Sequence, residues 1–185
     1  MNAVILNGSG NSDTALEKVQ QAIIDELTDK NWEIEPLILH NMDIKPCAGC
    51  FGCWVQTPGI CIINDEGRDI ARKIIQSDLV LYLTPVTFGG YSAHLKKVLD
   101  RSIGILLPFF KKVDGEVHHQ ARYEHYPRLM GVGVLPQADE ESEQIFKTLV
   151  SRNAINMHAP LSTAGVVFRN HSTSDIHTIE PLSKL

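Results

Sequence analysis

The chain has 185 residues, enough for one domain with a substantial core and too few for two comfortable ones, so a single domain over residues 1–185 is expected. Hydrophobic residues make up 43% and charged residues 21%, a globular balance that argues against a disordered or fibrous chain. The net charge of -5, with no long basic run, gives nucleic acid or an anionic membrane little to hold, and no apolar run approaches the roughly 20 residues a membrane helix needs.

In chain order, Ala3, Val4, Ile5 and Leu6 form a short apolar run that ends in a glycine turn. It lacks a basic region, a long apolar stretch and a small-residue cleavage site, so it reads as a first strand and predicts a cytoplasmic protein. Leu16, Val19, Ile23 and Leu27 then recur at helical spacing. Residues 32–39 alternate weakly as a second strand, and the loop after them carries all four cysteines. Ile70, Ile74 and Ile75 mark a helix over 65–76, and residues 78–83 are the nearly continuous apolar run of a strand buried on both faces. A helix over about 94–103, a strand over 129–135, a helix over 140–153 and a strand over 161–168 complete the pattern. Repeated strand-helix units predict an α/β fold, a doubly wound five-stranded parallel sheet with right-handed crossovers. The segment 106–128, with Pro108, Gly115 and Pro127, interrupts the alternation and reads as an inserted lid or interface piece. The polar tail after Asn170 predicts a curtailed closing helix.

Ligands of open parallel sheets bind beyond the carboxyl ends of the strands, where the strand order reverses, so the loops after the strands matter most. Gly8, Ser9, Gly10, Asn11, Ser12, Asp13 and Thr14 form a loop of glycines and hydroxyls leading into a helix N-terminus, as a phosphate cradle requires. It has no Lys-Ser/Thr of a P-loop, and Asp13 stands where Gly-x-Gly-x-x-Gly would end. A plain capped turn is the bland alternative. The loop from Thr84 to Ala93 pairs Gly89 and Gly90 with Phe88 and Tyr91, offering close backbone approach and aromatic faces to a flat ligand; alone it would read as an aromatic seal over the core. Cys47, Cys50, Cys53 and Cys61 have the spacing C-x2-C-x2-C-x7-C, which can wrap a [4Fe-4S] cluster. Redox or unliganded thiols fit the same spacing, whereas zinc sites usually show two well-separated pairs.

Asn7-Gly8-Ser9 leading to Thr14, Cys47-x-x-Cys50-x-x-Cys53-Trp54, Thr57-Pro58-Gly59-x-Cys61 followed by Asp65, Thr84-Pro85-Val86-Thr87-Phe88-Gly89, and Leu95-Lys96 with Asp100-Arg101 occur in that order. Together they resemble the NADPH-dependent FMN reductase and iron-sulfur flavoprotein family over about residues 1–105, and beyond that only in the order of elements. The resemblance implies a flavodoxin-like fold, one FMN per subunit, and a homodimer or homotetramer with the flavin near a subunit contact. It places Ser9, Gly10, Asn11, Ser12 and Thr14 at the FMN phosphate, with the hydroxyls of Ser9, Ser12 and Thr14 as ligands. Pro85, Val86, Thr87, Phe88 and Gly89 would line the ring. Many members carry Pro-Arg after Gly-Ser; Gly10-Asn11 here removes that arginine, leaving hydroxyls, backbone N–H groups and the helix dipole.

The implied function is an FMN-dependent oxidoreductase that takes electrons from NAD(P)H and passes them to a quinone, a flavin, a metal centre or a protein. The alternative is a flavodoxin-type electron-carrier module without its own nicotinamide site. The chemistry is the cofactor's, so no catalytic side chain is assigned. Cys47, Cys50, Cys53 and Cys61 would hold a cluster in one pocket beside the flavin, or lie there as thiols covered by Trp54. Asp100-Arg101 reads as a structural ion pair, and His118, His119, Arg122, Tyr123 and His125 as solvated surface, with an NADPH-phosphate or cross-subunit flavin contact as the sharper reading.

Overall fold

The computed structural model describes residues 1–113 and 115–169. In chain order they form β1 (Asn2–Asn7), α1 (Thr14–Asp29), β2 (Glu33–Ile38), a single turn α2 (Gly52–Val55), α3 (Glu66–Gln76), β3 (Leu79–Pro85), α4 (Ala93–Arg101), β4 (Leu106–Val113), β5 (Glu116–Ala121), β6 (Arg128–Leu135), α5 (Glu140–Asn156) and β7 (Ser162–Phe168).

Side chains alternate across a strand, and here both sets are apolar because both faces of the sheet are covered. Ala3 and Ile5 pack with Leu16, Val19, Ile23 and Leu27 of α1. Val4 and Leu6 point the other way, into a second core with Ile70 and Ile74 of α3, Leu95 and Val98 of α4, and Phe146 and Val150 of α5. The strands are parallel in the order β2-β1-β3-β6-β7, the flavodoxin-like order expected from the sequence. From β1 the chain moves to β2 on one side and then crosses to β3 on the other. The loops after β1 and β3 therefore leave the sheet as neighbours at the switch point.

Three features differ from the sequence reading. The inserted segment is an antiparallel hairpin of β4 and β5, with Phe110 opposite His119 and Lys112 opposite Val117. A two-stranded ribbon whose tip is exposed and whose base is only half-buried shows no apolar alternation, which hid it in the sequence. Its base is fastened by Tyr126, whose hydroxyl donates to the Ile105 carbonyl at 2.6 Å, and by Arg122 Nε, which donates to the Gly104 carbonyl at 2.8 Å. The turn α2 lies inside the cysteine loop and is too short for helical periodicity to reveal. Helix α5 runs past the expected end to Asn156. The curtailed closing helix concerns residues outside those described. Among the described residues no helix is long and apolar enough to cross a membrane.

Candidate flavin site and cysteine cavity

The loop after β1 is seated against the loop after β3. Gly8 N–H donates to the Leu83 carbonyl at 2.8 Å, and a Cβ on Gly8 would stand 2.5 Å from Ser92 Oγ, so only glycine lets the two loops approach this closely. Ser9 is buried, and its N–H donates to Asn7 Oδ1 at 2.8 Å. Beyond it the backbone turns outward through Ser12 in the left-handed region, with φ of 61°. The N–H groups of Gly10, Asn11, Ser12 and Asp13 find no acceptor among the described residues. Such a run of free donors at the positive end of α1 is a ready anion site. Asp13 caps α1 through Leu16 N–H, and Arg169 from the end of β7 pairs with the Asp13 carboxylate at 2.7 Å.

The second loop makes a tight turn. Thr87 and Gly90 exchange both backbone hydrogen bonds, at 3.0 and 2.9 Å, around Phe88 and Gly89 with φ of 49° and 73°. A left-handed backbone is natural for Gly89 and strained for an aromatic residue, and Phe88 is 99% exposed, so no packing within the chain offsets the strain. Pro85, Val86 and Thr87 lead from β3 into this turn, and Ser92 Oγ caps α4 behind it. His40, just beyond β2, has Nδ1 3.2 Å from the Ser9 carbonyl and its ring 6.2 Å from that of His94 at the start of α4. Burial holds the His94 imidazole below its usual range, and the charges of Lys97 and His40 add to the effect.

All four cysteines line a cavity of about 310 Å³ with Phe51, Ile63, Asp100, Arg101 and Ile103. Cys47 and Cys50 are exposed, Cys61 is half-buried and Cys53 is buried. Burial, and then the charges of Cys61, Cys47 and Cys50, push the Cys53 thiol up. Among the described residues no group of three or more His, Cys, Asp or Glu side chains could hold a metal ion. The cavity sits at the C-terminal end of α4 while the Phe88 turn leads into its N-terminal end, a separation of about 13 Å along the helix. Trp54 tethers the loop: its Nε1 donates to the carbonyls of Leu106 at 3.0 Å and Ile103 at 3.3 Å, and its ring stacks on Phe51 and tilts against His119.

The structure thus brings Ser9, Gly10, Asn11, Ser12 and Thr14 to the same sheet edge as Pro85, Val86, Thr87, Phe88 and Gly89, and gathers the cysteines elsewhere. The ion pair expected at Asp100-Arg101 has other partners, because the two side chains leave α4 in different directions. Asp100 bonds Lys96 on the surface, and Arg101 turns inward to Asp65. Arg122 is occupied by the carbonyls of Gly104 and Leu106, and His119 Nδ1 lies 2.9 Å from the Leu107 carbonyl, so both serve the hairpin base. Sequence reasoning missed His40, His94 and Arg169. His40 could have been found from its place just after the second strand, whereas nothing local marks Arg169.

A family model described as NADPH-dependent FMN reductase matches residues 1–117. The chain belongs to this family. Membership makes it one of an oxidoreductase family whose named cofactor is FMN, in keeping with the free donors at α1. Among curated proteins, the chain is 29% identical to an iron-sulfur flavoprotein of Methanosarcina thermophila over 98 residues, covering 53% of this chain and 50% of that protein. It is also 29% identical to one of Methanocaldococcus jannaschii over 119 residues, covering 63% and 61%. The chain thus spans about half to three-fifths of the length of these relatives. Among solved structures, an NAD(P)H:quinone oxidoreductase from Methanothermobacter marburgensis superposes with a TM-score of 0.67 at 14% identity, covering 100% of this chain and 94% of that one. An FMN-dependent NADH-azoreductase from Bacillus anthracis in complex with FMN gives 0.64 at 12% identity, covering 100% and 95%. At these identities the likeness is one of fold.

Proposed function

We propose that the chain acts as a single FMN-binding domain and as an oxidoreductase that takes electrons from NAD(P)H and delivers them to a small-molecule acceptor of the quinone or azo class. The observation that carries this reading is the set of four backbone N–H groups at α1 without acceptors among the described residues, beside a strained turn with a bare aromatic ring. The donors suit a phosphate and the turn suits the face of a flat ring. When bound, FMN supplies hydride and electron chemistry. The amides from Gly10 to Asp13 and the hydroxyls of Ser9, Ser12 and Thr14 hold the phosphate, while Pro85, Val86, Thr87, Phe88 and Gly89 lie along the ring. Arg169 stands beside this loop as the partner of Asp13, in place of an arginine within Gly10-Asn11.

Cys47, Cys50, Cys53 and Cys61 line one cavity, and their C-x2-C-x2-C-x7-C spacing suits a [4Fe-4S] cluster better than zinc, whose sites usually show two well-separated pairs. The relatives named iron-sulfur flavoproteins support this assignment of Cys47, Cys50, Cys53 and Cys61. Phe109, Phe110 and Val117 on the hairpin are 61–65% exposed, and these bare apolar side chains suit contact with a second copy in a homodimer. An absorption spectrum of anaerobically purified protein, followed by addition of NADPH or NADH, tests the reading: a bound flavin that either nucleotide bleaches is expected. Protein that takes up no FMN removes the reading. Flavin bleached only by a protein donor makes the chain an electron-carrier module. Light scattering that shows a flavin-loaded monomer at micromolar concentration removes the dimer.

A further inference from the structure

Asp65 caps α3 and Arg101 ends α4, yet their side chains are 0% and 1% exposed and form a doubly hydrogen-bonded ion pair, Nη1 to Oδ2 at 2.8 Å and Nη2 to Oδ1 at 2.7 Å. Every other ion pair among the described residues is at least partly exposed. The same two nitrogens donate to the Lys45 carbonyl at 2.7 Å and the Ile63 carbonyl at 3.2 Å, and Lys45 N–H returns to Asp65 at 3.0 Å. Lys45 stands just before Cys47 and Ile63 just after Cys61. The loop that carries all four cysteines therefore closes at both ends on one guanidinium. A Cβ on Gly67 would lie 3.2 Å from Nη2 and 3.0 Å from Asp65 Oδ1, so the seat of the pair is shaped to it.

One donor of that guanidinium is unspent. Arg101 Nε is buried without a hydrogen-bond partner, and Arg101 lines the cysteine cavity together with Cys61. Asp100, the other charged residue lining it, is tied to Lys96. A buried cation with a free N–H beside four thiols suits a site where those thiols become anions on binding iron.

We propose that Arg101, held by Asp65, is the positioning residue of the cysteine cavity: it clasps both ends of the loop to α4 and supplies the positive charge that stabilises four converging thiolates and the anionic centre they hold. The clasp stands on the geometry alone; the charge role rests on the cluster reading above. Three variants of the full FMN-loaded chain test it. Arg101→Lys keeps the charge without the planar fork, Arg101→Gln removes the charge, and Asp65→Asn with Arg101→Gln leaves no lone buried ion to threaten the fold.

The first readout is amide hydrogen exchange in protein free of iron. Exchange over residues 46–64 at least tenfold faster in all three variants, with β1 and β3 unchanged, is expected; exchange equal to that of the unaltered chain overturns the clasp. The second readout is anaerobic reconstitution with ferric iron, sulfide and excess dithiothreitol, the thiol reducing half of the iron. The unaltered chain should hold about four irons and Arg101→Lys most of them, while Arg101→Gln and the double variant hold at least threefold less. Any cluster that Arg101→Gln retains should have a lower midpoint potential, since a positive charge favouring the reduced state is gone while Asp65 stays. The double variant, which loses both charges of the pair, should stay close to the unaltered chain; a purely structural role would not separate the two. Equal iron content and equal potential in Arg101→Gln overturn the charge role. An unaltered chain that takes up no iron overturns both the cluster reading and the charge role, and exchange still decides the clasp.

Discussion

The paired loops after β1 and β3, the proposed flavin site, and the cysteine cavity lie at opposite ends of α4 and are built in different ways. At the N-terminal end, the loops after β1 and β3 meet because the strand order puts β1 beside β3, and backbone amides contribute most of the donors. That site is a property of the fold, and many side chains can change around it. At the C-terminal end, the cavity depends on a contact between residues 36 apart in sequence and on two indole hydrogen bonds to the start of the hairpin. The first site should therefore tolerate substitution and respond in affinity, whereas the second should respond in stability.

The largest effect expected is at the clasp. Arg101→Gln strands a buried carboxylate and should cost about 3–5 kcal/mol in urea unfolding, with Asp65→Asn added to it recovering part of the loss. If the double variant is as unstable as the single one, the cavity does not depend on the ion pair. Next is the phosphate loop. Ser9→Ala with Thr14→Val removes two hydrogen bonds to a charged group, each worth about 1.5–3 kcal/mol, and should weaken FMN binding at least tenfold while the unfolding midpoint of flavin-free protein stays in place. Unchanged affinity in a fluorescence titration would take these hydroxyls out of the site.

A pH series sharpens the contrast further. The Arg101 guanidinium beside Asp65 lowers its carboxyl from 3.8 to about 2. A carboxyl with a depressed folded-state pKa adds stability above its unfolded value and loses it as protons bind, so about 2 kcal/mol should disappear between pH 4 and pH 2. In Asp65→Asn that part of the acid slope should be flat. The smallest effect concerns the Phe88 turn. Phe88→Gly relieves a left-handed backbone and removes no packing, so flavin-free stability should rise by less than about 1 kcal/mol while FMN binding weakens several-fold. A stability loss of more than that would place Phe88 in the core and not over a ligand.

The sheet was legible because a strand buried on both faces writes a continuous apolar run, as residues 79–83 do, and because Leu16, Val19, Ile23 and Leu27 keep helical spacing. The rule that ligands sit beyond the carboxyl ends of such strands singled out the loops after β1 and β3, which the structure seats against each other. The hairpin was hidden by its exposed tip and half-buried base, which leave no apolar alternation, and α2 by its length.

What the sequence determined by itself is the set of local elements and the chemistry carried at their ends: glycines and hydroxyls before α1, a proline and an aromatic residue after β3, four cysteines in one loop. Each is written within a few residues, where periodicity and turn chemistry operate. Only the tertiary structure decided that Arg101 answers Asp65 and not its neighbour Asp100, that Arg169 meets Asp13, and that His40 rests on Ser9. The physical reason is that a buried charge or a free N–H takes its partner from whichever segment folding brings within about 3 Å, and that proximity is set by the packing of sheet and helices, which leaves no periodic trace along the chain.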